Sequence, residues 1–203
     1  MSSSAKGPKD NDFTIRIANV NGTGSASANA MLMKALFRMG IPVCGKNYFP
    51  SNIQGLPTWY EIRASGHGHL ARSGRVDIMV AMNAETYARD HACVAPGGYL
   101  IYDSTWPRSQ LFNRTDIHVI GVPLSHICNE NFAQARSRIL MKNIMYVGVL
   151  AALLDMDMQV IKGLLNEQFK AKASLLDANQ KAIDLGHAWA RENFSCPLAF
   201  RTV

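Results

Sequence analysis

The sequence contains little cysteine, and its four cysteines stand far apart. Cys44, Cys93, Cys128 and Cys196 include no Cys-x-x-Cys pair, the spacing with which many iron–sulfur and zinc sites begin. We therefore expect no metal site built from cysteine. We interpret these residues as reduced, mostly structural thiols of an intracellular protein.

Long apolar runs are also missing. The longest one, residues 144–154, is shorter than the roughly 20 apolar residues that a membrane-spanning helix needs. The first ten residues are polar and lack the apolar core of a signal peptide. We expect a cytoplasmic protein with no membrane partner, and a disordered N-terminal tail over residues 1–12.

No group of side chains marks a catalytic centre. The pattern contains no evident nucleophile–base pair, pair of carboxylates or cluster of metal ligands. His67 and His69 invite a metal interpretation, but no third ligand is evident, and the flanking glycines predict an exposed hairpin tip instead. These features favour a ligand-binding or docking subunit over a complete catalyst.

Positive charge is present but scattered along the chain. The formal net charge is +6, which indicates either an anionic ligand or partner or a solvated basic surface. Since no basic stripe with interleaved aromatic residues occurs, we expect no nucleic acid partner. At 203 residues and 48% hydrophobic content, the chain fits one domain with a substantial core.

Residues 13–39 predict a strand, a glycine-bearing turn and a helix. A mostly apolar, β-branched run ends at Val20, and an apolar stripe with helical spacing follows the turn. Gly22 and Gly24 permit positive φ and the close approach of a ligand. Ser25 or Ser27 can cap the helix, and the free N–H groups at its start favour an anion such as phosphate.

This turn does not complete a known nucleotide motif. The third glycine of the dinucleotide fingerprint is missing, because Ala26 and Ser27 stand where it is expected. The Gly-Lys-Ser/Thr ending of a phosphate loop is absent too. The residues alone leave two alternatives open: a phosphate site, and a tight strand-to-helix turn that holds no ligand.

Short apolar strands alternate with helical patterns along the rest of the chain. Strands are predicted at residues 13–20, 40–45, 59–63, 76–82, 99–102 and 117–122, and helices at residues 28–39, 84–91, 132–154, 158–169 and 174–194. This alternation predicts an α/β fold with a doubly wound, mostly parallel sheet followed by C-terminal helices. Gly148, inside an apolar helix, indicates close backbone packing. Residues 195–203 predict a tail that docks elsewhere, or a linker.

Polar residues stand where several of these strands end. In a doubly wound sheet the ligand lies at the carboxyl ends of the strands. That edge collects Asn21, Gly22, Thr23, Lys46, Asn47, Asn83, Asp103 and Ser104. Each has an alternative role, because Asn and Asp also cap helices and begin turns.

Five segments carry a resemblance to a known family. They are NVNGTGSAS at 19–27, GKNYFPSNIQGLPTWYEIR at 45–63, MN at 82–83, PGGYLIYDSTWP at 96–107 and MKNIMYVG at 141–148. These segments resemble the gamma domain of the 2-oxoacid:ferredoxin (acceptor) oxidoreductases, in the version fused at the amino end of the alpha subunit of 2-oxoglutarate-type enzymes. The resemblance covers nearly all of residues 13–201.

The resemblance implies a role within a larger enzyme. Enzymes of this family decarboxylate a 2-oxoacid, such as 2-oxoglutarate, on thiamine diphosphate with magnesium. They pass electrons through iron–sulfur clusters to ferredoxin and release an acyl-coenzyme A. The gamma domain is a Rossmann-like module, here residues 13–194, that packs on the alpha and beta parts, carries none of the thiamine chemistry and is implicated in coenzyme A binding. The thiamine diphosphate, magnesium and iron–sulfur clusters are expected on partner subunits.

The resemblance also implies where coenzyme A would be contacted. The glycine turn at residues 22–27 and the loop at residues 46–54 are expected to face the coenzyme or the partner subunit. The candidate cofactor-binding residues are Asn21, Gly22, Thr23, Gly24, Ser25, Lys46, Asn47 and Asn83. Lys46 and the start of the first helix would meet the phosphates of coenzyme A. The more usual gamma-domain turn has a denser glycine run ending in Gln-Gly, so this turn departs from the family pattern.

Two rival functions stay open beside a gamma-type subunit that is inactive alone. One is an independent dinucleotide-binding oxidoreductase, which the missing third glycine disfavours. The other is a purely structural docking module that contacts no ligand. The chain stops where a fused subunit would continue into its alpha domain, so we expect either a separate alpha polypeptide or a piece of a longer chain.

Overall fold

The computed structural model describes residues 9–20, 22–49, 56–72, 74–108 and 112–203. Its strands are β1 (Lys9–Asp10), β2 (Asp12–Val20), β3 (Val43–Tyr48), β4 (Pro57–Ser65), β5 (Val76–Ala81), β6 (Val94–Asp103), β7 (His118–Val122) and β8 (Phe200–Arg201). Its helices are α1 (Ser25–Arg38), α2 (Tyr87–Cys93), α3 (Leu124–Asn131), α4 (Ala135–Leu153), α5 (Met158–Phe169) and α6 (Ala173–Asn193), and a 3₁₀ turn at Ala84–Thr86 precedes α2.

A six-stranded sheet with strand order β3-β4-β2-β5-β6-β7 forms the centre of the fold. Strands β2, β5, β6 and β7 are parallel, which confirms the predicted α/β class with a mostly parallel, Rossmann-like sheet. Strand β4 runs antiparallel to both of its neighbours, β2 and β3. Only eight residues, 49–56, separate β3 from β4 in sequence, fewer than the dozen or more that a crossover between parallel strands needs.

The two faces of the sheet are covered unequally. Ile15 and Ile17 of β2 belong to the larger core cluster, which α1, α4, α5 and α6 complete. Ala18 of β2 and Met79 of β5 belong to a smaller cluster on the opposite face, where α2 packs against β5 and β6. This alternation follows from the two-residue period of a strand. Part of the second face, over β3 and β4, is open to solvent.

Helices α4 and α6 cross at two glycines. A Cβ atom at Gly148 would collide with the carbonyl oxygen of Ile183, and one at Gly186 would collide with the carbonyl oxygen of Met145. The two backbones therefore approach more closely than any larger residue would allow, which confirms the packing expected at Gly148. Through this crossing, the helical C-terminal part becomes one layer of the domain.

The final residues dock on their own domain. Strand β8 pairs in parallel with β1, so that Lys9 lies opposite Phe200. The backbone N–H of Thr202 donates to the carbonyl oxygen of Leu154, at 2.8 Å. The composition predicts a disordered tail that includes residues 9–12. Residues 9 and 10 instead form β1, residue 12 begins β2, and residue 11 lies between the two strands. The remainder of that predicted tail, residues 1–8, is outside the described residues.

Several local predictions differ from the structure. Strand β3 continues to Tyr48 instead of ending at Gly45, because pairing with β4 holds Lys46 and Asn47 in the ladder despite their low strand propensity. Helix α3, with only eight residues, was not predicted. A returning strand after His69 does not occur in the described part of residues 66–75. Among the described residues, none of the helices combines the length and apolarity that a bilayer span requires.

Candidate functional site

The turn between β2 and α1 is closed by two glycines in the left-handed region. Gly22 has φ of 87° and Gly24 has φ of 84°, a conformation that other residues rarely adopt. Gly24 occupies the N-cap position of α1 and has no side chain with which to cap the helix. The prediction that Ser25 or Ser27 caps α1 is therefore wrong, because the left-handed glycine already stands at the cap and makes Ser25 the first helical residue.

An uncapped helix start has a defined chemical property. The first N–H groups of a helix have no partner within the helix, and they carry the positive end of its dipole. Since the N-cap residue of α1 supplies no side-chain acceptor, these N–H groups can meet an anion at the carboxyl edge of the sheet. Ser25 is buried there, whereas Gly22 is exposed.

Two asparagines hold the turn against α4. Asn19 donates through Nδ2 to Oδ1 of Asn143 at 3.0 Å, and Asn143 donates through Nδ2 to the carbonyl oxygen of Thr23 at 2.7 Å. The hydroxyl of Thr23 donates to Oδ1 of Asn19 at 3.0 Å. Both asparagines are buried. Neither was selected from its residue type, because the signal lies in a contact between positions 124 residues apart in sequence.

Helix α4 also covers part of the turn with an apolar side chain. A Cβ atom at Gly24 would collide with Cδ2 of Leu140. Leu140 itself is 37% exposed and its neighbour Ile139 is 50% exposed. The amino-terminal half of α4 therefore places apolar surface beside the glycine turn.

The predicted site residues are only partly brought together. Gly22, Thr23, Gly24 and Ser25 lie in or beside the turn, and Asn21 lies outside the described residues. Lys46 and Asn47 lie within β3, where Lys46 pairs with Glu61 and Asn47 pairs with Tyr60. By strand alternation Lys46 belongs to the face opposite α1, so it does not share a surface with the start of that helix.

Asn83 follows β5 at the same edge and has an unusual environment. Its Oδ1 accepts a hydrogen bond from the backbone N–H of Glu85 at 3.1 Å, which caps the 3₁₀ turn. Its Nδ2 is buried and has no partner among the described residues. Buried polar atoms are nearly always paired. This donor is therefore a candidate for contact with a ligand.

Asp103, at the end of β6, forms a closed polar cluster. Its carboxylate accepts hydrogen bonds from the hydroxyls of Thr105 at 2.6 Å and Ser125 at 2.5 Å. Lys142 of α4 lies 3.7 Å from the same carboxylate. Nearby, burial raises the pKa of the Cys128 thiol to about 11, so this thiol stays protonated and unreactive near neutral pH. The cluster ties β6 to α3 and α4 and contains no activated nucleophile.

The structure gives no support for a metal site in the described residues. His67 and His69 are both exposed, and the centroids of their rings are 6.1 Å apart. Across the described ranges, no three His, Cys, Asp or Glu side chains are grouped so that they could hold a metal ion.

Comparison with known proteins identifies the family. A model of the pyruvate ferredoxin/flavodoxin oxidoreductase family matches residues 14–189. The chain belongs to this family. Its relatives include subunit alpha of 2-oxoacid:ferredoxin oxidoreductase 2 from Aeropyrum pernix, 32% identical over 92 residues, which are 45% of this chain and 14% of that protein. Ketoisovalerate oxidoreductase subunit VorA from Methanothermobacter thermautotrophicus is 28% identical over 58% of this chain and 23% of its own length.

Solved structures of the same family share the fold. The 2-oxoglutarate:ferredoxin oxidoreductase from Magnetococcus marinus, solved with 2-oxoglutarate, coenzyme A and succinyl-CoA bound, matches with a TM-score of 0.83 and 25% identity over 96% of this chain and 33% of that one. The gamma subunit of a keto/oxoacid ferredoxin oxidoreductase from Geobacter sulfurreducens matches with a TM-score of 0.69 and 16% identity, over 89% of this chain and 99% of that one.

These matches confirm that the chain resembles the gamma domain of the 2-oxoacid:ferredoxin oxidoreductases. The chain spans less than a quarter of the length of the curated relatives given above. It corresponds to a unit that occurs as a separate gamma subunit in one relative and as a third of a larger chain in another. The glycine turn, Asn143 and Gly148 all lie inside the segment that the family model matches.

Proposed function

We propose that this chain is the gamma-type part of a 2-oxoacid:acceptor oxidoreductase that oxidatively decarboxylates 2-oxoglutarate or a similar 2-oxoacid to an acyl-coenzyme A. The observation that carries the proposal is the family match over residues 14–189, together with near-complete coverage of a solved gamma subunit. In this proposal the chain is inactive alone. Thiamine diphosphate, magnesium and iron–sulfur clusters belong to alpha and beta partner subunits, and ferredoxin receives electrons from those partners.

Coenzyme A contact is the first task that we assign to the chain. Coenzyme A supplies the thiol that accepts the acyl group, and its phosphates are anionic. The uncapped start of α1 and the orphaned Nδ2 of Asn83 both offer N–H donors at the carboxyl edge of the sheet. Thr23 and Ser25 stand beside that helix start. These residues fit an anionic ligand, whereas the described residues offer no cluster of side chains that could hold a metal ion.

Subunit docking is the second task. Five large hydrophobic side chains are exposed at the carboxyl edge. They are Phe49 after β3, Leu56 before β4, Trp106 after β6, and Ile139 and Leu140 in α4. Phe49, Trp106 and Ile139 are each at least 50% exposed. Exposed apolar surface concentrated on one edge is typical of an interface with another protein.

The test is to purify this protein from its own cells and measure the mass of the intact complex, with thiamine and iron assayed in the same fraction. The expected result is a complex with larger subunits that contains both cofactors. Two variants locate the interface. Trp106→Asp should release the chain from the complex. Phe37→Asp is the control, because Phe37 is 69% exposed near the opposite end of α1.

Other outcomes would assign a different function. A lone chain that binds NADPH saturably would support an independent dinucleotide-binding oxidoreductase. An assembled enzyme in which coenzyme A leaves the amide exchange of residues 21–54 unchanged would support a purely structural docking module.

A further inference from the structure

The open part of the second sheet face, over β3 and β4, carries four basic side chains beside two aromatic rings. Arg16 comes from β2, Lys46 from β3, Arg72 from the segment after β4, and Arg89 from α2. Tyr48 and Trp59 lie between them on β3 and β4. Three of these cations, Lys46, Arg72 and Arg89, are exposed. A single pocket on this face is lined by Arg16, Tyr48, Trp59, Arg72, Arg89 and Cys93.

The aromatic rings position the guanidinium groups. Arg89 lies over the ring of Trp59 at 4.3 Å, and Arg72 lies over the ring of Tyr48 at 5.0 Å, measured from the guanidinium carbon to the ring centroid. Lys46 lies 5.5 Å from the centroid of the Tyr48 ring. Cation–π contacts of this kind restrict the side chains without using their N–H donors. The N–H donors of Arg72 and Arg89 therefore stay available to a ligand.

Two carboxylates lie near this pocket, fewer than the four basic side chains that surround it. Glu61 accepts from Nε of Arg16 at 2.9 Å and from its Nη2 at 2.5 Å, and it forms a longer ion pair with Arg72, whose Nε lies 3.7 Å from Oε1 of Glu61. Asp90 is fully buried and accepts from Trp59 at 2.8 Å and Thr86 at 2.6 Å. Within the described residues, Arg72 and Arg89 have no hydrogen-bonded acceptor, and four cations face these two carboxylates.

The arrangement favours a compact, highly charged anion. A nucleotide base cannot stack directly on Tyr48 or Trp59, because Arg72 and Arg89 already lie over those rings. Three guanidinium groups instead line one small pocket, and guanidinium matches the geometry of phosphate oxygens by paired hydrogen bonds. A neighbouring pocket shares Tyr48 and Arg72 and extends the positive surface to Lys46.

We propose that Arg16, Arg72 and Arg89 form a binding site for the diphosphate group of a ligand, with Lys46 at its margin. The chemical group that this site would bind is two linked phosphates. They can belong to coenzyme A or to another nucleotide. If the source is coenzyme A, the inference rests on the proposed function and assigns the diphosphate of the coenzyme to this face, which leaves its separate 3′-phosphate as the group that meets the start of α1.

The experiment is calorimetric titration of the full chain with inorganic diphosphate at low ionic strength. We expect one saturable site. The exposed residues Arg72 and Arg89 are replaced singly and together by Gln, and each single variant should weaken binding about tenfold, as loss of one charge-assisted hydrogen-bonding group predicts. Arg136→Gln is the matched control, because Arg136 is exposed on α4 and the variant loses the same charge.

The possible results distinguish the two sources of the diphosphate and the alternative occupants of the site. Coenzyme A binding that is at least tenfold tighter than that of adenosine diphosphate, and that the double Arg72→Gln and Arg89→Gln change weakens, assigns the site to the coenzyme, while a smaller difference assigns it to the diphosphate of nucleotides in general. Equal losses in Arg136→Gln and Arg89→Gln, or no saturable binding, would overturn the inference. So would tighter binding of a hexaglutamate peptide than of diphosphate, since the occupant would then be an acidic protein segment. Failure to assemble with thiamine-containing partners defeats the proposed function but leaves a measured diphosphate site intact.

Discussion

The side chain of Asn143 donates a hydrogen bond to the carbonyl oxygen of Thr23 at 2.7 Å, across 120 residues of sequence. This bond joins α4 to the glycine turn at the start of α1. Because Asn143 also accepts from Asn19, one buried amide ties the end of β2, the turn and α4 together. The shape of the turn therefore depends on the helical layer packed behind it.

We predict that Asn143→Leu loosens the glycine turn. The change leaves the carbonyl oxygen of Thr23 and the Nδ2 of Asn19 without their partner, and an unsatisfied buried polar group costs about 1–3 kcal/mol. Urea denaturation measures the loss. Asn193→Leu is the control, since Asn193 bonds only to Trp189 within α6 at an exposed position. Equal midpoints for the two variants would contradict the role of Asn143.

We predict opposite effects for alanine at different helical glycines. Gly148→Ala or Gly186→Ala forces a Cβ atom against a carbonyl oxygen of the partner helix, and overpacking costs about 1–3 kcal/mol or more. Gly163→Ala, in α5, meets nothing within 4 Å and should gain up to about 1 kcal/mol from helix propensity. Thermal denaturation of the three variants measures whether each change raises or lowers stability. A stabilised Gly148→Ala would refute the close crossing of α4 and α6.

Gly24→Ala should raise the KM for coenzyme A in the assembled enzyme. The new Cβ atom strains a backbone with φ of 84° and collides with Leu140, which displaces the start of α1. Gly22→Ala controls for backbone strain alone, because φ is 87° there and no atom lies within 4 Å of the added Cβ. Adding Leu140→Ala to Gly24→Ala should restore part of the affinity. Unchanged kinetics in Gly24→Ala would argue against a ligand at this turn.

Asp90 should make the protein less stable as the pH rises. Burial raises the pKa of its carboxyl in the folded state, although the hydrogen bonds from Thr86 and Trp59 oppose this effect. A raised folded-state pKa means that the folded state binds the proton more tightly than the unfolded state. The resulting stability is present below the unfolded pKa and is lost as the pH rises through the folded pKa.

Asp90→Asn removes this titration, so the variant should gain stability relative to the native protein as the pH rises above 3.8, the ordinary pKa of the aspartate carboxyl. Urea denaturation at several pH values measures the difference. Asp177→Asn, at an exposed position in α6, should show no such trend. A constant offset between Asp90→Asn and the native protein across this range would disprove the assignment.

Local signals predicted much of the fold. The β-branched run before Val20, the two glycines after it and the apolar stripe that follows gave β2, the turn and α1 in the right order. The direction of β4 was not available from local signals, because an antiparallel hairpin strand and a parallel one have the same side-chain alternation. Helix α3 was missed, since only Leu124 and Cys128 are buried in it.

The candidate site was less accessible from sequence. Lys46 and the start of α1 were expected to meet one ligand, but register with Glu61 places Lys46 on the opposite face of the sheet. Asn143 was missed because a lone asparagine inside an apolar helix has no distinctive pattern. The arginine pocket was missed as well, since Arg16, Arg72 and Arg89 are scattered in sequence and only the sheet and α2 bring them together.

The sequence by itself determined the α/β class, the glycine turn, the close packing at Gly148 and the family, because these depend on local propensity, on backbone freedom and on segments that stay contiguous. Only the tertiary structure decided which polar residues share a surface and which helix start stays uncapped. Those properties depend on strand order, register and helix packing, which arise from contacts between residues far apart in the chain.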